Sequence, residues 1–234
     1  MNIILFDIDG TLTRSGGAGR KIFDRVFARL YQEKEISEGM DFSGKTDPMI
    51  IQEIFKTRFN SLPNDSELIR VKKAYLKIIE DEVRSVRPYQ PVEGVTDLLK
   101  TLSANDHILL GLATGNFRES AFLKLQSAGL RKFFTFGGFG SDSPNRAELT
   151  HLGIERGKKL IPFHHKFEKV FVVGDTPHDV EAGQEAGAIT IAMLTGSTKK
   201  DAFLKRTPDH ILEGYQPVES FLHIVNGYDK SDLK

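Results

Sequence analysis

The sequence contains no cysteine, and its charges cancel. Without cysteine there is no disulfide, no thiolate metal ligand and no cysteine nucleophile. Lysine plus arginine and aspartate plus glutamate each number 32, so net charge gives no reason to expect nucleic acid or an anionic membrane as a partner. No apolar run approaches the roughly 20 residues of a membrane span, and residues 3–6 are too short a run for a signal peptide. We therefore expect a cytoplasmic protein, acting as a monomer or a homodimer.

Short apolar runs alternate with segments of helical periodicity. Strands buried on both faces are predicted for residues 3–6, 108–113, 170–173 and 189–194, with a weaker run at 133–136. Apolar residues recur at helical spacing over residues 95–102, 121–130, 149–160 and 180–186. This alternation predicts an α/β fold with a doubly wound, Rossmann-like parallel sheet.

One long segment interrupts the alternation. Between residues 16 and 87 no strand is predicted, and residues 22–31, 48–59 and 67–86 read as amphipathic helices. We predict an inserted small α-helical cap domain at residues 16–87 and a core domain made of residues 1–15 and 88–234. The glycine-rich residues 15–19 are predicted to be the hinge between core and cap. They are not a Walker loop, because the required Gly-Lys-Ser/Thr ending is absent.

Pairs of acidic residues follow two of the predicted strands. Asp7 and Asp9 come after the first run, and Asp175 and Asp179 come after residues 170–173. Ligands of open α/β sheets bind at the carboxyl ends of the strands. Either pair alone could be solvated acids or a structural turn, but together they offer the all-oxygen ligands that Mg²⁺ prefers.

A third polar motif, Thr114-Gly115-Asn116, follows residues 108–113. A hydroxyl and free backbone N–H groups at a strand-to-helix turn suit a phosphate oxygen. A helix N-cap would use the same residue types equally well.

These motifs, in this order, resemble those of the haloacid dehalogenase-like hydrolase superfamily. The segments are Asp7-Ile8-Asp9-Gly10-Thr11, Thr114-Gly115-Asn116, the stretch that ends at Arg146, and Gly174-Asp175-Thr176-Pro177-His178-Asp179. The likeness extends over nearly the whole chain and is greatest for phosphoglycolate phosphatase-type enzymes with a small helical cap. It implies a magnesium-dependent hydrolase of a small phosphorylated metabolite, similar to phosphoglycolate, that works through an aspartyl-phosphate.

The resemblance also implies roles for the residues that carry chemistry. Asp7 would attack phosphorus, while Asp9 would give a proton to the leaving alcohol and later activate water. Thr114 would bind the transferring phosphoryl group, with further contacts from Gly115 and Asn116.

The metal ligands implied by the resemblance come from three segments. They are the carboxylates of Asp7 and Asp175 and the backbone carbonyl of Asp9. Asp179 would bind the metal through water or orient Asp175.

The family places a basic residue, usually lysine, at the start of a later helix. Arg146 is the candidate here, since a guanidinium can hold phosphate with two parallel bonds. Lys158 and Lys159 are the fallback candidates, and an exposed helix-start residue is the alternative for Arg146.

Two further positions have open interpretations. Lys45 could reach the non-transferred end of the substrate, as this turn does in similar caps, or the turn could serve only for N-capping by Thr46 or Asp47. His178 is interpreted as a first-turn residue of a helix and not as a general base.

Three alternative functions are compatible with parts of this pattern. A dehalogenase also uses an aspartate nucleophile but needs no metal, so the acids beside Asp7 argue against it. A phosphoglucomutase of the same fold shares all four motifs and stays open. A non-catalytic phospho-accepting module would lack an acid such as Asp9 and a cap of this size.

Overall fold

The computed structural model describes residues 1–85 and 89–227. The strands are β1 (Asn2–Phe6), β2 (Thr13–Arg14), β3 (Gln90–Pro91), β4 (Ile108–Thr114), β5 (Gly137–Phe139), β6 (Val170–Gly174), β7 (Ile189–Met193) and β8 (His210–Leu212). The helices are α1 (Ala18–Tyr31), α2 (Asp47–Phe59), α3 (Asp65–Ser85), α4 (Val95–Ser103), α5 (Arg118–Ser127), α6 (Arg146–Lys158), α7 (Pro177–Glu185), α8 (Lys200–Leu204) and α9 (Val218–Asn226).

Six of the strands form a parallel sheet in the order β5-β4-β1-β6-β7-β8. Strand β1 lies inside the sheet, with Phe6 in register with Leu112 of β4 and Val173 of β6. An interior strand that is covered on both faces is buried, which explains why residues 3–6 of β1 are all apolar. The residue that follows it, Asp7, is therefore held at the carboxyl edge of the sheet, where its N–H donates to the Val173 carbonyl at 2.9 Å.

Helices cover both faces of the sheet. Alternate residues of β1 point to opposite faces. Ile4 and Phe6 belong to one core cluster with residues of α4 and α9, such as Leu98 and Phe221. Ile3 and Leu5 belong to another, which includes Leu149 and Ile154 of α6. The predicted doubly wound α/β core is confirmed.

The predicted strands differ from the structure at both edges of the sheet, and the short pair β2 and β3 was not predicted either. The weak run at 133–136 is not a strand: residues 131–133 form a short 3₁₀ helix, and the edge strand β5 begins at Gly137. Its first two residues are glycines, which carry no side chain and so give no apolar signal. Strand β8 was not predicted, because it is three residues long and half-buried at the opposite edge of the sheet.

The inserted segment has a hydrophobic core of its own. Residues of α1, α2 and α3, such as Phe27, Phe55 and Tyr75, form one cluster that also takes in Phe117 at the start of α5. As predicted, the described part of residues 16–87 contains no strand. The division into cap and core stays a prediction, and the boundary between residues 87 and 88 lies outside the described residues.

The two connections between cap and core run side by side. Strands β2 and β3 pair antiparallel, with Thr13 opposite Pro91. Gly16 and Gly17 have φ angles of 58° and 86°, and helix α1 begins directly after them. Of the predicted hinge residues 15–19, Ala18 and Gly19 are already helical, and the hinge itself stays a prediction.

Among the described residues, none of the helices has the length and apolar character needed to cross a membrane.

Candidate active site

Three buried carboxylates meet at the carboxyl edge of the sheet. Each of Asp7, Asp175 and Asp179 places an oxygen within 4.8 Å of the others. Burial, followed by the negative charge of Asp179, raises the pKa of Asp7 to about 7. Burial and the same neighbour raise the pKa of Asp175 well above its usual range. Three buried carboxylates this close repel one another, so a positive charge beside them is needed to keep all three ionised.

Glycines make room for Asp175. A Cβ atom on Gly10 would lie 2.2 Å from the Asp175 Oδ2 atom, and one on Gly196 would lie 1.8 Å from it. Gly10 also has a φ of +87°, a conformation that L side chains rarely adopt. The hydroxyl of Thr11 donates to Asp175 Oδ1 at 3.1 Å. The glycine and threonine that follow Asp9 thus shape the turn around the second acidic motif.

Arg146 supplies positive charge to this cluster. It is the first residue of α6, whose N-terminus is capped by the side chain of Asn145. Its guanidinium donates to Asp179 and lies 3.3 Å from Asp7 Oδ1. The side chain is only 11% exposed, which excludes the alternative of an exposed helix-start residue. The fallback candidate Lys158 instead pairs with Glu155 at the far end of α6.

The donor set of the cluster fits Mg²⁺. One guanidinium faces three carboxyl groups, so a divalent cation would offset the remaining charge. The oxygens of Asp179 are already engaged by the N–H and hydroxyl of Thr176 and by Arg146. Asp7 and Asp175 are therefore better placed for direct ligation than Asp179. That Asp179 binds the metal through water or orients Asp175 stays a prediction.

Asp9 lies next to the Thr114-Gly115-Asn116 turn. The Asn116 Nδ2 atom donates to Asp9 Oδ2 at 2.8 Å and to Thr114 Oγ1 at 2.8 Å. Thr114 is fully buried, and it orients Asn116. The two motifs at the ends of β1 and β4 are thus joined by hydrogen bonds.

Lys124 of α5 also reaches Asp9, although it belongs to none of the four motifs. Its Nζ atom lies 2.6 Å from Asp9 Oδ2 and 2.5 Å from Asn116 Oδ1. Burial alone would lower the pKa of Lys124, but the neighbouring Asp9 carboxylate raises it well above its usual range. A signal was present in the sequence, since Lys124 stands in the apolar stripe of α5 between Ala121 and Leu125.

The loop before α2 docks the cap onto this edge of the sheet. Thr46 accepts a hydrogen bond from Met49 N–H at 3.4 Å and caps α2, as one of the open interpretations expected. Asp47 acts differently: its Oδ2 atom accepts from Phe117 N–H at 2.8 Å and so caps α5 of the core. Burial raises the pKa of Asp47 to about 6 against the attraction of Lys124. Lys45 forms an ion pair with Glu53 at 2.5 Å.

Gly115 lets the loop approach this closely. A Cβ atom there would lie 2.6 Å from the Lys45 carbonyl oxygen. On the other side of the loop, Gly44 packs against the ring of His178. As predicted, His178 is a first-turn residue of α7. It is exposed, and its Nδ1 atom lies 3.3 Å from Glu181 Oε2.

A cavity of about 350 Å³ opens between the cap and the sheet edge. Its size is typical of a site for a small molecule. The predicted residues that line it are Asp7, Asp9, Lys45, Gly115, Asn116, Arg146 and Asp175. Thr114 and Asp179 lie behind this lining and support it. Arg20 and Phe42 of the cap also face the cavity, so the cap contributes both charge and apolar surface.

The chain resembles known phosphatases over most of its length. The family model for haloacid dehalogenase-like hydrolases matches residues 4–193. A pyrophosphatase PpaX from Listeria welshimeri is 25% identical over 212 residues, which are 90% of this chain and 91% of the relative. A phosphoglycolate phosphatase from Aquifex aeolicus is 26% identical over 218 residues, which are 91% of this chain and 92% of the relative.

The fold is also found among solved structures. The crystal structure of CbbY from Rhodobacter sphaeroides in complex with phosphate aligns with a TM-score of 0.68 at 16% identity. The alignment covers 92% of this chain and 95% of that one. Identity this low supports the fold alone. The family assignment rests on the match over residues 4–193, and it confirms the resemblance read from the motifs: this chain belongs to the haloacid dehalogenase-like hydrolases.

Proposed function

We propose that this phosphatase is a Mg²⁺-dependent phosphomonoester hydrolase that forms an aspartyl-phosphate on Asp7. One observation carries the proposal. Asp7 is a buried carboxylate at the end of an interior strand, beside the guanidinium of Arg146 and open to the cavity. A carboxylate can accept a phosphoryl group when the negative charges of both are offset.

Residues of the cluster would supply that charge compensation. Arg146 would neutralise Asp7 and the phosphate together, since its Nη2 atom already contacts Asp7 and Asp179. Asp7, Asp175 and the backbone carbonyl of Asp9 would hold Mg²⁺, which would offset phosphate charge when bound. Asp179 would keep Asp175 and Arg146 oriented.

The groups around Asp9 would handle the leaving alcohol. Asp9 would give its proton to the departing oxygen and then take one from the attacking water. The turn of Thr114, Gly115 and Asn116 would bind the oxygens of the transferring phosphoryl group.

The size of the cavity favours a small phosphorylated metabolite. A volume of about 350 Å³ leaves space for a phosphoryl group and a short leaving group. Lys45 at the cap side of the cavity would attract a second anionic group on the substrate. Phosphoglycolate carries such a group, and one relative is named a phosphoglycolate phosphatase.

The test is hydrolysis of p-nitrophenyl phosphate by the purified protein with Mg²⁺, followed by a screen of small phosphorylated metabolites. We expect phosphate release by the wild type and a loss of kcat/KM of at least about 1,000-fold in Asp7→Asn. Asp97→Asn is the matched control, because Asp97 is exposed on α4 and should leave activity unchanged.

Several outcomes would contradict the proposal. Full activity in Asp7→Asn would exclude Asp7 as the nucleophile. Isomerisation of a sugar phosphate faster than its hydrolysis would favour the phosphoglucomutase alternative. A long-lived phosphorylated Asp7 with negligible turnover would favour a phospho-accepting module.

A further inference from the structure

Lys124 is a cation buried at the boundary of cap and core. Its side chain is 4% exposed, although it lies on a helix with ample solvent-facing surface. Burying a lysine costs free energy unless its ammonium group is paired. Its contacts at 2.6 Å with Asp9 Oδ2 and 2.5 Å with Asn116 Oδ1 supply that pairing.

The contacts on Asp9 are one-sided. Both Lys124 and Asn116 donate to the same oxygen, Oδ2, at 2.6 and 2.8 Å. Among the described residues, no hydrogen bond reaches Oδ1. The Asp9 side chain is 43% exposed and lines the cavity, so it can meet a substrate there. One oxygen is thus fixed by the protein, and the other is available.

This division suits a group that exchanges a proton. A carboxyl group that carries its proton on Oδ1 still accepts hydrogen bonds through Oδ2, and so does the carboxylate. The contacts with Lys124 and Asn116 can therefore persist in both protonation states, and no rearrangement is needed when the proton leaves.

We propose that Lys124 is a positioning residue that holds Asp9 by Oδ2, so that Oδ1 faces the leaving oxygen of the substrate. In that step Asp7 forms a new bond to phosphorus, the bond from phosphorus to the leaving oxygen breaks, and the proton on Asp9 Oδ1 moves to that oxygen. The products are the phosphorylated Asp7, the Asp9 carboxylate and a neutral alcohol. Lys124 stays protonated throughout.

The support for Asp9 extends beyond Lys124. Asn116 is held in turn by Thr114 Oγ1 at 2.8 Å, and Thr114 ends β4. Lys124 is anchored in α5, which follows the same turn. The Asp9 carboxylate is thus fixed by side chains from a strand, a turn and a helix that are consecutive in the chain.

The inference rests on the proposed function, and its test compares two leaving groups. p-Nitrophenolate departs without a proton, whereas the alkoxide of an alkyl phosphate such as glycerol 3-phosphate needs one. The value of kcat/KM reports the steps up to leaving-group departure, so it is insensitive to the later attack of water. We expect Lys124→Met to lower kcat/KM for the alkyl phosphate by about tenfold to hundredfold more than for p-nitrophenyl phosphate.

The ratio of the two kcat/KM values does not depend on how much enzyme is folded, so partial unfolding cannot imitate this result. Lys158→Met is the matched control, because Lys158 is an exposed lysine paired with Glu155 at 2.8 Å, and its ratio should equal that of the wild type. In an Asp9→Asn background, Lys124→Met should cause no further change in the ratio, since Lys124 acts through Asp9.

Two results would overturn the inference alone. An unchanged ratio in Lys124→Met would mean that Lys124 contributes only to structure. An equal rise of KM for both substrates would mean that it binds the phosphate directly. A wild type that hydrolyses neither substrate would overturn the proposed function and this inference together.

Discussion

At the scale of single residues, the contacts of Arg146 depend on the shape of its guanidinium group. It must span Asp7 and Asp179 while donating to the Gly44 carbonyl at 3.3 Å. The Nη2 atom contacts both carboxylates and the Nη1 atom contacts the carbonyl, whereas a lysine has a single nitrogen for all three acceptors. We expect Arg146→Lys to lower kcat/KM by about tenfold to hundredfold.

The control for this prediction is Arg84→Lys, which makes the same chemical change on the exposed face of α3. Steady-state kinetics with p-nitrophenyl phosphate would measure both variants. Wild-type kinetics in Arg146→Lys would show that charge alone suffices at this position.

Residues of the site could be predicted from the sequence where they belong to a short motif. Asp7, Asp9, Asp175 and Asp179 stand in compact motifs at strand ends, and the parallel sheet brings strand ends together. Lys124 belongs to no such motif. Its role depends on the way α5 packs over Asp9, a contact between residues 115 positions apart.

At the scale of elements, Asp47 joins a cap helix to a core helix. It begins α2, yet its carboxylate caps α5 through the N–H of Phe117 and lies near the Ser120 hydroxyl at 3.4 Å. Burial raises its pKa from 3.8 to about 6. Burial therefore favours the protonated acid in the folded state, although the hydrogen bond from Phe117 N–H by itself favours the carboxylate.

The raised pKa of Asp47 predicts how stability depends on pH. Between about pH 4 and pH 6 the unfolded chain releases the Asp47 proton while the folded chain keeps it, so the folded state binds more protons. The contribution of Asp47 is fully present below the unfolded pKa near 3.8 and is lost as pH rises through about 6. At about 1.4 kcal/mol per tenfold change in proton affinity, the loss is about 3 kcal/mol.

Urea unfolding of wild type and Asp47→Asn at pH 4, 5, 6 and 7 would test this. The asparagine keeps the acceptor for Phe117 without a titrating proton, so the variant should gain stability relative to wild type as pH rises. Asp7 and Asp175 also have raised pKa values, but they contribute equally to both proteins. Parallel pH curves for the two proteins would contradict the prediction, and Asp97→Asn is the control with an exposed acid.

Elements were predictable in proportion to their apolar content. The strands β1, β4, β6 and β7 are buried on both faces. Packing there requires apolar residues, and a continuous apolar run is the pattern that predicts such a strand. The edge strands β5 and β8 are three residues each, and their pairing with β4 and β7 decides their conformation. The capping of α5 by Asp47 was not predictable either, since a local reading assigns that side chain to α2.

At the scale of the whole molecule, the sheet concentrates negative charge from distant parts of the chain. Asp7, Asp175 and Asp179 place oxygens within 4.8 Å of one another, and Arg146 offsets only part of their charge. The free energy gained by folding is thereby reduced by repulsion at the site. A cation that binds only the folded state should restore it.

Thermal unfolding with and without Mg²⁺ would measure this coupling. A ligand at 100 times its Kd adds about 2.7 kcal/mol to the free energy of unfolding, which for a chain of this size raises Tm by roughly 5–10 °C. We expect a shift of that order when Mg²⁺ is added to EDTA-treated wild type. Asp175→Asn should lose most of the shift, because it replaces a charged carboxylate ligand by a neutral amide and at the same time removes the repulsion. Equal Tm values for wild type in Mg²⁺ and in EDTA would exclude a folded-state Mg²⁺ site at this cluster, whereas a full shift in Asp175→Asn would place the ion elsewhere.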